Sequence, residues 1–551
     1  MRLLHGPRGQ HPSGWRLAAG AIAALVLVPV LALVVAALGG DSGVWPHLLA
    51  HVLPPTLLDT TILLLGVGAL VIALGTGSAW LVTAYDFRGR GVLDWALLLP
   101  LAVPTYIVAY AYMDLLHPIG PVQTLLRELL GRSGPQDLRL PEIRSLGGCV
   151  LLLGFVLYPY VYLTTRALFL MQSASLIEAA RTLGTGRGGV FVRVALPLAR
   201  PAIAVGASLA LMETINDVGA SEFLGARTLT ISIYSTWINR SDLAGAAQIA
   251  LAMLVLVAAL LALERAGRRR QRYATAAQRA RRMEPRRLHG PAAWSALVLG
   301  SVPVLVGFVA PSAYLVAETI KRVRFAGFPA GLLRIAFDTV LLAGTATLVT
   351  VLLGLVVAYA ARIAPGAWSR AFERVAGLGY ALPGTVLAIG LLFPLGLLDG
   401  LLADLGERWF GLGGGLLLLG SGAALVYAYS ARFLAVASGG IAAGLTRVAP
   451  VLDQAARTLG STGGGVLRRV HLPLIRPALA AAALLVFVDC MKELPATLLL
   501  RPLNVETLAT RLYAEAARGT YEEGAIAALI IVVVGLVPVV LLARVGRSVA
   551  Q

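Results

Sequence analysis

The chain has 551 residues, 58% of them hydrophobic and only 13% charged, with a mean hydropathy of +0.81. A soluble globular domain carries about 25% charged residues, so this composition excludes a water-soluble fold and points to a polytopic membrane protein. The net charge of +18 would suggest nucleic acid in a soluble protein; here the arginines fall in short loops between apolar runs, where topology and anionic lipid account for them, and no nucleic-acid partner is expected.

Arg2, Arg8 and Arg16 lead into an apolar run ending near Leu38. It is too long for a signal-peptide core and lacks a small-residue cleavage site, so it is read as a retained first span at 17–38. Further spans are expected at 59–84, 93–115, 147–171, 201–220 and 245–264. A second set falls at 294–317, 336–361, 374–397, 415–437, 477–494 and 524–544. Six plus six make an all-α protein of about twelve spans. The polar, strongly basic stretch at 265–290 separates the sets, giving a first domain at 1–264, a cytoplasmic linker at 265–293 and a second domain at 294–551.

Asp59-Thr60 and Asp338-Thr339 stand where N-caps would open the second span of each half. Pro104 and Pro383 interrupt the third. With both termini inside, Arg88, Arg90, the linker, Arg544 and Arg547 all face the cytoplasm, as the positive-inside rule requires. Lys321, Arg322 and Arg324 fall outside and oppose that topology. An even number of spans per half makes the two halves parallel repeats. Cys149 and Cys490 lie in apolar spans, which argues against a disulfide framework or a zinc site.

The most specific feature is a repeat. Residues 178–203 read EAARTLGTGRGGVFVRVALPLARPAI, and 454–479, 276 positions later, read QAARTLGSTGGGVLRRVHLPLIRPAL, with 17 of 26 positions identical. A repeat at half the chain length means two copies of one module. Each copy begins with helix formers, then reaches Gly184 or Gly460, where a left-handed residue ends a helix. Residues 190–196 allow a second short helix, with Pro197 and Pro201 closing it and starting the next span. The expected product is a helix-turn-helix on the cytoplasmic face, with a small-residue surface (Ala179, Ala180, Gly184) and cations (Arg181, Arg193, Arg200).

These residues resemble the EAA loop of bacterial ABC-importer permeases: E-A-A, three residues, G, about nine residues, then an apolar residue with L-P. The resemblance implies two parallel six-helix type I (MetI-like) transmembrane domains fused in one chain. It also implies that the loops dock on a homodimeric ATP-binding subunit through Glu178, Ala179, Ala180, Gly184 and Pro197, and through Gln454, Ala455, Ala456, Gly460 and Pro473. The second copy departs from the pattern, since Gln454 replaces the glutamate, and coupling is therefore expected to be unequal. No G-x-x-x-x-G-K-[ST] is present, because neither Lys321 nor Lys492 follows a glycine. ATP and magnesium thus belong to the partner; this chain is expected to carry no cofactor and to be a permease rather than an enzyme.

Ionisable residues inside spans default to functional hypotheses. Glu213 and Asp217 recur as Asp489 and Glu493 at the same 276-residue offset. An i,i+4 spacing places each pair on one helix face, about 18 to 24 Å above the helix starts at Pro201 and Pro477. One reading makes them a translocation pathway for a hard cation such as ferric iron, without a certain metal site. The other makes them structural, bonded to backbone N–H groups where the helix unwinds, or paired with Lys492 or an arginine. Tyr158, Tyr160, Tyr162, Tyr427 and Tyr429 invite a binding role but suit interfacial belts equally.

The segments 211–225 (LMETINDVGASEFLG) and 491–513 (MKELPATLLLRPLNVETLATRLY) look like those of fused permeases for ferric iron. That likeness implies an inner-membrane protein served by a periplasmic substrate-binding protein, with outer loops near 116–146, 221–244 and 495–523. Permeases for thiamine, polyamines, sulfate or phosphonates are the alternatives in the class. A gradient-driven secondary transporter is the alternative outside it, and leaves the duplicated loop unexplained.

Overall fold

The computed structural model describes residues 13–39, 44–132, 134, 136–171, 180, 182–268, 285–411 and 415–550. Among them, eleven helices are long and apolar enough to cross a bilayer, or up to twelve when one bent pair is counted as a span. Helix α1 (Ser13–Leu38) is followed by α2 (Leu53–Ala84), α3 (Arg90–Ala96), α4 (Thr105–Leu115), α5 (Pro121–Leu129) and α6 (Leu146–Met171). After the first repeated loop come α7 (Leu196–Asn216), α8 (Gly219–Phe223), α9 (Leu229–Arg240) and α10 (Leu243–Arg268). Next are α11 (Pro291–Val304), α12 (Ala310–Ala326), α13 (Leu332–Ile363), α14 (Ala367–Leu378), α15 (Gly384–Phe410) and α16 (Ala423–Thr446). The second loop supplies α17 (Pro450–Thr458) and leads to α18 (Leu472–Lys492), α19 (Pro495–Leu500), α20 (Leu508–Arg518) and α21 (Tyr521–Ala550).

Prolines punctuate this order by two physical routes. Pro104 and Pro383 adopt extended backbone (ψ 146° and 144°) directly before α4 and α15, so the third span of each half is broken there as expected. In the first half the pieces meet at 93°. In the second, the expected single span at 374–397 separates into the amphipathic α14 and the longer α15. Elsewhere a proline widens a helix instead of ending it. Four π-helical segments occur among the described residues, Leu48–Val52, Phe191–Ala195, Leu305–Val309 and Leu467–His471. Each ends two residues before a proline: Pro54, Pro197, Pro311 and Pro473. The intervening residue bonds five positions back, as Leu196 N–H does to the Phe191 carbonyl. A proline ring crowds the carbonyl four residues earlier and offers it no donor, and the wider π turn relieves both problems.

Two expectations are corrected here. Asp59 and Asp338 are not N-caps, because α2 and α13 begin at Leu53 and Leu332, one to two turns earlier. Thr60 and Thr339 instead return their hydroxyls to the carbonyls of Thr56 and Ile335. Pro197 and Pro473 do not end a separate second helix, since the loop runs through its π turn directly into α7 or α18.

The described residues gather into two compact units that do not follow the sequence halves. One takes Met1–Asp41, Ser241–Ala250 and Leu333–Thr507; the other takes Ser42–Arg240, Leu251–Leu332 and Leu508–Gln551. Within the first, Ile22 and Val26 of α1 pack with Val357, Ala376 and Leu434, while Ile441, Leu445, Val448 and Ile475 form a core beneath the second loop. Within the second, α2, α6 and α7 pack closely, and a Cβ on Gly206 would lie 2.6 Å from the Val161 Cα. Small residues permit such approaches where helices meet. In that same unit Lys321 pairs with Glu318 and Glu522, and Arg322 with Glu523 at 2.7 Å. The cations that opposed the expected topology therefore include two already matched by carboxylates. A short parallel bridge, Tyr85–Asp86 with Arg286–Arg287, ties the end of α2 to the far end of the linker.

Candidate functional site: the repeated loops and the acids at the helix breaks

The second loop is described throughout. Pro450 sits at the start of α17, where its missing N–H is harmless. Gly460 ends the helix with φ +79°, a conformation that costs glycine nothing, and Ser461 N–H closes the turn on the Ala456 carbonyl. Thr462 then caps the next helical turn, Gly463–Val466, by accepting from Gly465 N–H. No residue of α17 is buried. Gln454 and Ala455 are exposed and Ala456 is half-buried, while the apolar Val451 and Leu459 are 62% and 86% exposed. Both large apolar side chains, Val451 on the nine-residue helix and Leu459 just past its end, are thus left uncovered by the chain itself.

Of the first loop, Glu178, Ala179 and Arg181 lie outside the described residues. The remainder repeats the same local fold. Gly184 has φ +83°, Thr185 N–H reaches the Ala180 carbonyl, and Leu183 is 84% exposed. Pro197, like Pro473, follows a π turn at the foot of a span.

One cluster at the second loop escaped the sequence reading. Asp453, next to Gln454, turns inward and receives both Nε and Nη2 of Arg362, at 3.0 and 3.2 Å. Arg362 also donates to the carbonyls of Leu445 (2.5 Å) and Val448 (3.0 Å), covering the end of α16. His471, 1% exposed, places Nε2 at 2.6 Å from Asp453 Oδ1, while its buried Nδ1 has no hydrogen-bond partner. Desolvation pushes the Asp453 carboxyl up, but hydrogen bonds from Arg362 and His471 outweigh it and hold the group below the usual aspartate range. The available signal was the departure of three positions from the first copy.

The acids occupy helix breaks. Residues 217 and 493 both leave the helix in extended backbone (ψ 122° and 121°), so the expected i,i+4 pairs do not share one continuous helix face. Asp217 accepts from the Thr105 hydroxyl at 2.5 Å and from Ser221 N–H at 2.8 Å, capping α8. Glu493 accepts from the N–H groups of Ala496 and Thr497, each at 3.1 Å, capping α19, and pairs with Arg432 at 3.1 Å. One turn earlier Glu213 is half-buried, and Asp489 pairs with Lys492 at 2.9 Å. These bonds match the structural reading of Asp217 and Glu493. Among the described residues, no group of three or more His, Cys, Asp or Glu is placed to hold a metal ion.

The tyrosines also serve the fold. Tyr158 and Tyr162 donate to the carbonyls of Leu97 and Asp94, fastening α6 to the start of the broken third span. Tyr427 donates to the Leu25 carbonyl, and Tyr429 lies 2.5 Å from the Thr497 hydroxyl beside the Glu493 cap. Cys149 and Cys490 are buried and free.

The profile of the binding-protein-dependent transport system inner membrane component family matches residues 69–273 and 350–550, one copy per half. The Fe(3+)-transport system permease protein FbpB 2 of Haemophilus influenzae is 23% identical over 498 residues, covering 88% of this chain and 89% of its own. The molybdenum transport system permease protein ModB of Escherichia coli K12 is 32% identical over 205 residues, 34% of this chain and 86% of its own. Among solved structures, a bacterial alginate ABC transporter in complex with an alginate pentasaccharide-bound periplasmic protein aligns over 47% of this chain and 95% of its own, at 18% identity and TM-score 0.36.

Proposed function

The chain belongs to the family of binding-protein-dependent transport system inner membrane components, and we propose that its cargo is ferric iron and that a separate dimeric ATPase drives it. As a member it is a multi-pass inner-membrane permease of an ABC importer carrying two permease domains. The iron reading rests on one observation: likeness to an iron permease runs nearly end to end through both halves. The ATPase reading is supported by two loops of the same local fold, each presenting an exposed leucine, Leu183 and Leu459. Both termini and both loops would face the cytoplasm, and the chain itself would neither bind nor hydrolyse ATP. A periplasmic binding protein would deliver the cargo to the opposite face, near 116–146, 221–244 and 495–523.

Oxyanions are the second reading, favoured by the higher identity of the molybdenum permease over a single half. The test is ATP hydrolysis by the reconstituted permease, ATPase and binding protein, loaded in turn with Fe³⁺, molybdate or thiamine. Stimulation by Fe³⁺ alone is expected. Stimulation by molybdate or thiamine alone would reassign the cargo, and uptake insensitive to vanadate would reject the ATPase.

A further inference from the structure

Among the described residues, the contacts beneath the two loops differ in chemistry. Under the first, Trp80 packs against Phe169 and Phe191 with ring centroids 5.3 and 5.2 Å apart. The equivalent positions of the second half are Tyr359, Leu445 and Leu467 (80 + 279, 169 + 276, 191 + 276). There the Tyr359 hydroxyl donates to the Gly463 carbonyl at 2.6 Å, and the ring lies edge-on to His471 at 5.5 Å. The residues of the ionic cluster likewise have no counterparts in the sequence of the first half. Arg362, Asp453 and His471 correspond to Thr83, Ile177 and Ala195 (362 − 279, 453 − 276, 471 − 276), none of which can form an ion pair.

We propose that Asp453 is a positioning residue that locks the second loop to the feet of its own spans, so that this loop transmits force as a rigid lever. Apolar contact is non-directional and tolerates sliding. A carboxylate gripped by a guanidinium fork and an imidazole fixes direction as well as distance. Arg362 adds the feet of α13 and α16 to the same grip, and His471 adds the foot of α18. The Asp453 side chain on the nine-residue α17 thus contacts α13 and the foot of α18 directly, and reaches the end of α16 through Arg362.

The role of this lock in energy coupling rests on the ATPase reading above; its mechanical part does not. The mechanical test is amide hydrogen exchange of the full chain in detergent. Asp453→Asn is expected to raise exchange across 450–466 by about ten-fold, with 182–190 unchanged, and Asp453→Glu to remain near wild type. Unchanged exchange at 450–466 in Asp453→Asn overturns the proposal, as does an equal rise in both loops, which would mean general loosening. The coupling test uses the complex with its ATPase and binding protein in proteoliposomes. Asp453→Asn is expected to keep ATP hydrolysis within about two-fold while cargo moved per ATP falls about ten-fold, and Asp453→Glu to restore the ratio. An unchanged ratio beside altered exchange removes the lock from coupling. If the wild-type complex hydrolyses no ATP, the ATPase reading fails while the exchange result still decides the lock.

Discussion

Arg432 meets Glu493 at 3.1 Å with side chains only 6% and 2% exposed, and the same carboxylate caps α19. Removing one member of such a pair strands a charge, which costs about 3–5 kcal/mol. Arg432→Met is expected to lower the melting temperature in detergent strongly. Glu493→Gln keeps an acceptor for the cap but leaves the buried Arg432 charge without its partner, so it should lower the melting temperature as well. An unchanged melting temperature in both variants would mean that the ion pair contributes little beyond the cap.

Leu183 and Leu459 are mostly exposed in this chain. Burying a leucine side chain is worth about 1.5–3 kcal/mol, so Leu459→Glu should reduce copurification of an ATPase partner by ten-fold or more. The chain itself should remain as stable as wild type, because no native contact is lost. Retained copurification after both Leu183→Glu and Leu459→Glu would show that the loops are not the docking surface.

The glutamate-to-glutamine difference at 178 and 454 predicts unequal coupling. A charge-assisted hydrogen bond is roughly twice as strong as a neutral one. Glu178→Ala should therefore reduce transport more than Gln454→Ala in an uptake assay. Matching losses would reject the asymmetry.

Acid should loosen the second loop. The folded carboxyl of Asp453 is held below its unfolded value, which is about 3.9. Its stabilisation is thus complete above that unfolded value and is lost as pH falls through the lower folded one. Between pH 6 and 8 the aspartate contributes a constant amount. Exchange at 450–466 measured down to about pH 3 should rise in the wild type and stay flat in Asp453→Asn. An equal rise in the two proteins would assign the effect elsewhere.

Pro473→Ala should convert the π turn Leu467–His471 to regular α-helix. The loop would then rotate relative to α18 by about 100°, one residue's turn at 3.6 residues per turn. Transport should fall with little loss of stability, and cysteine cross-linking across the loop would report the changed register. An unchanged cross-linking pattern would show that the π turn does not depend on the proline.

Much of this was legible without coordinates. The spans followed from long apolar runs, the breaks from Pro104 and Pro383, and the helix ends of the loops from Gly184 and Gly460. Each is a local property: a missing N–H or a tolerated positive φ acts within a turn of the residue that causes it. The repeat added the correspondence between halves, and with it the paired positions 217 and 493. The helix starts before Asp59 and Asp338 were not marked in this way: α2 continues from the π turn Leu48–Val52, and α13 opens at Leu332 on apolar residues that carry no cap signal.

What the tertiary structure alone decided was partnership. That Asp217 and Glu493 stand at helix breaks and cap short helices depends on where the span stops, which hydropathy does not mark. That Asp453 binds Arg362 and His471, 91 and 18 positions away, depends on three helix feet meeting, and no periodicity records such a meeting. The same holds for the compact units, where α1 packs with spans of the second half, since apolar helices carry little in their sequence to name a neighbour. The repeat thus established two loops of one kind, and the packing beneath the second added the cluster of Arg362, Asp453 and His471.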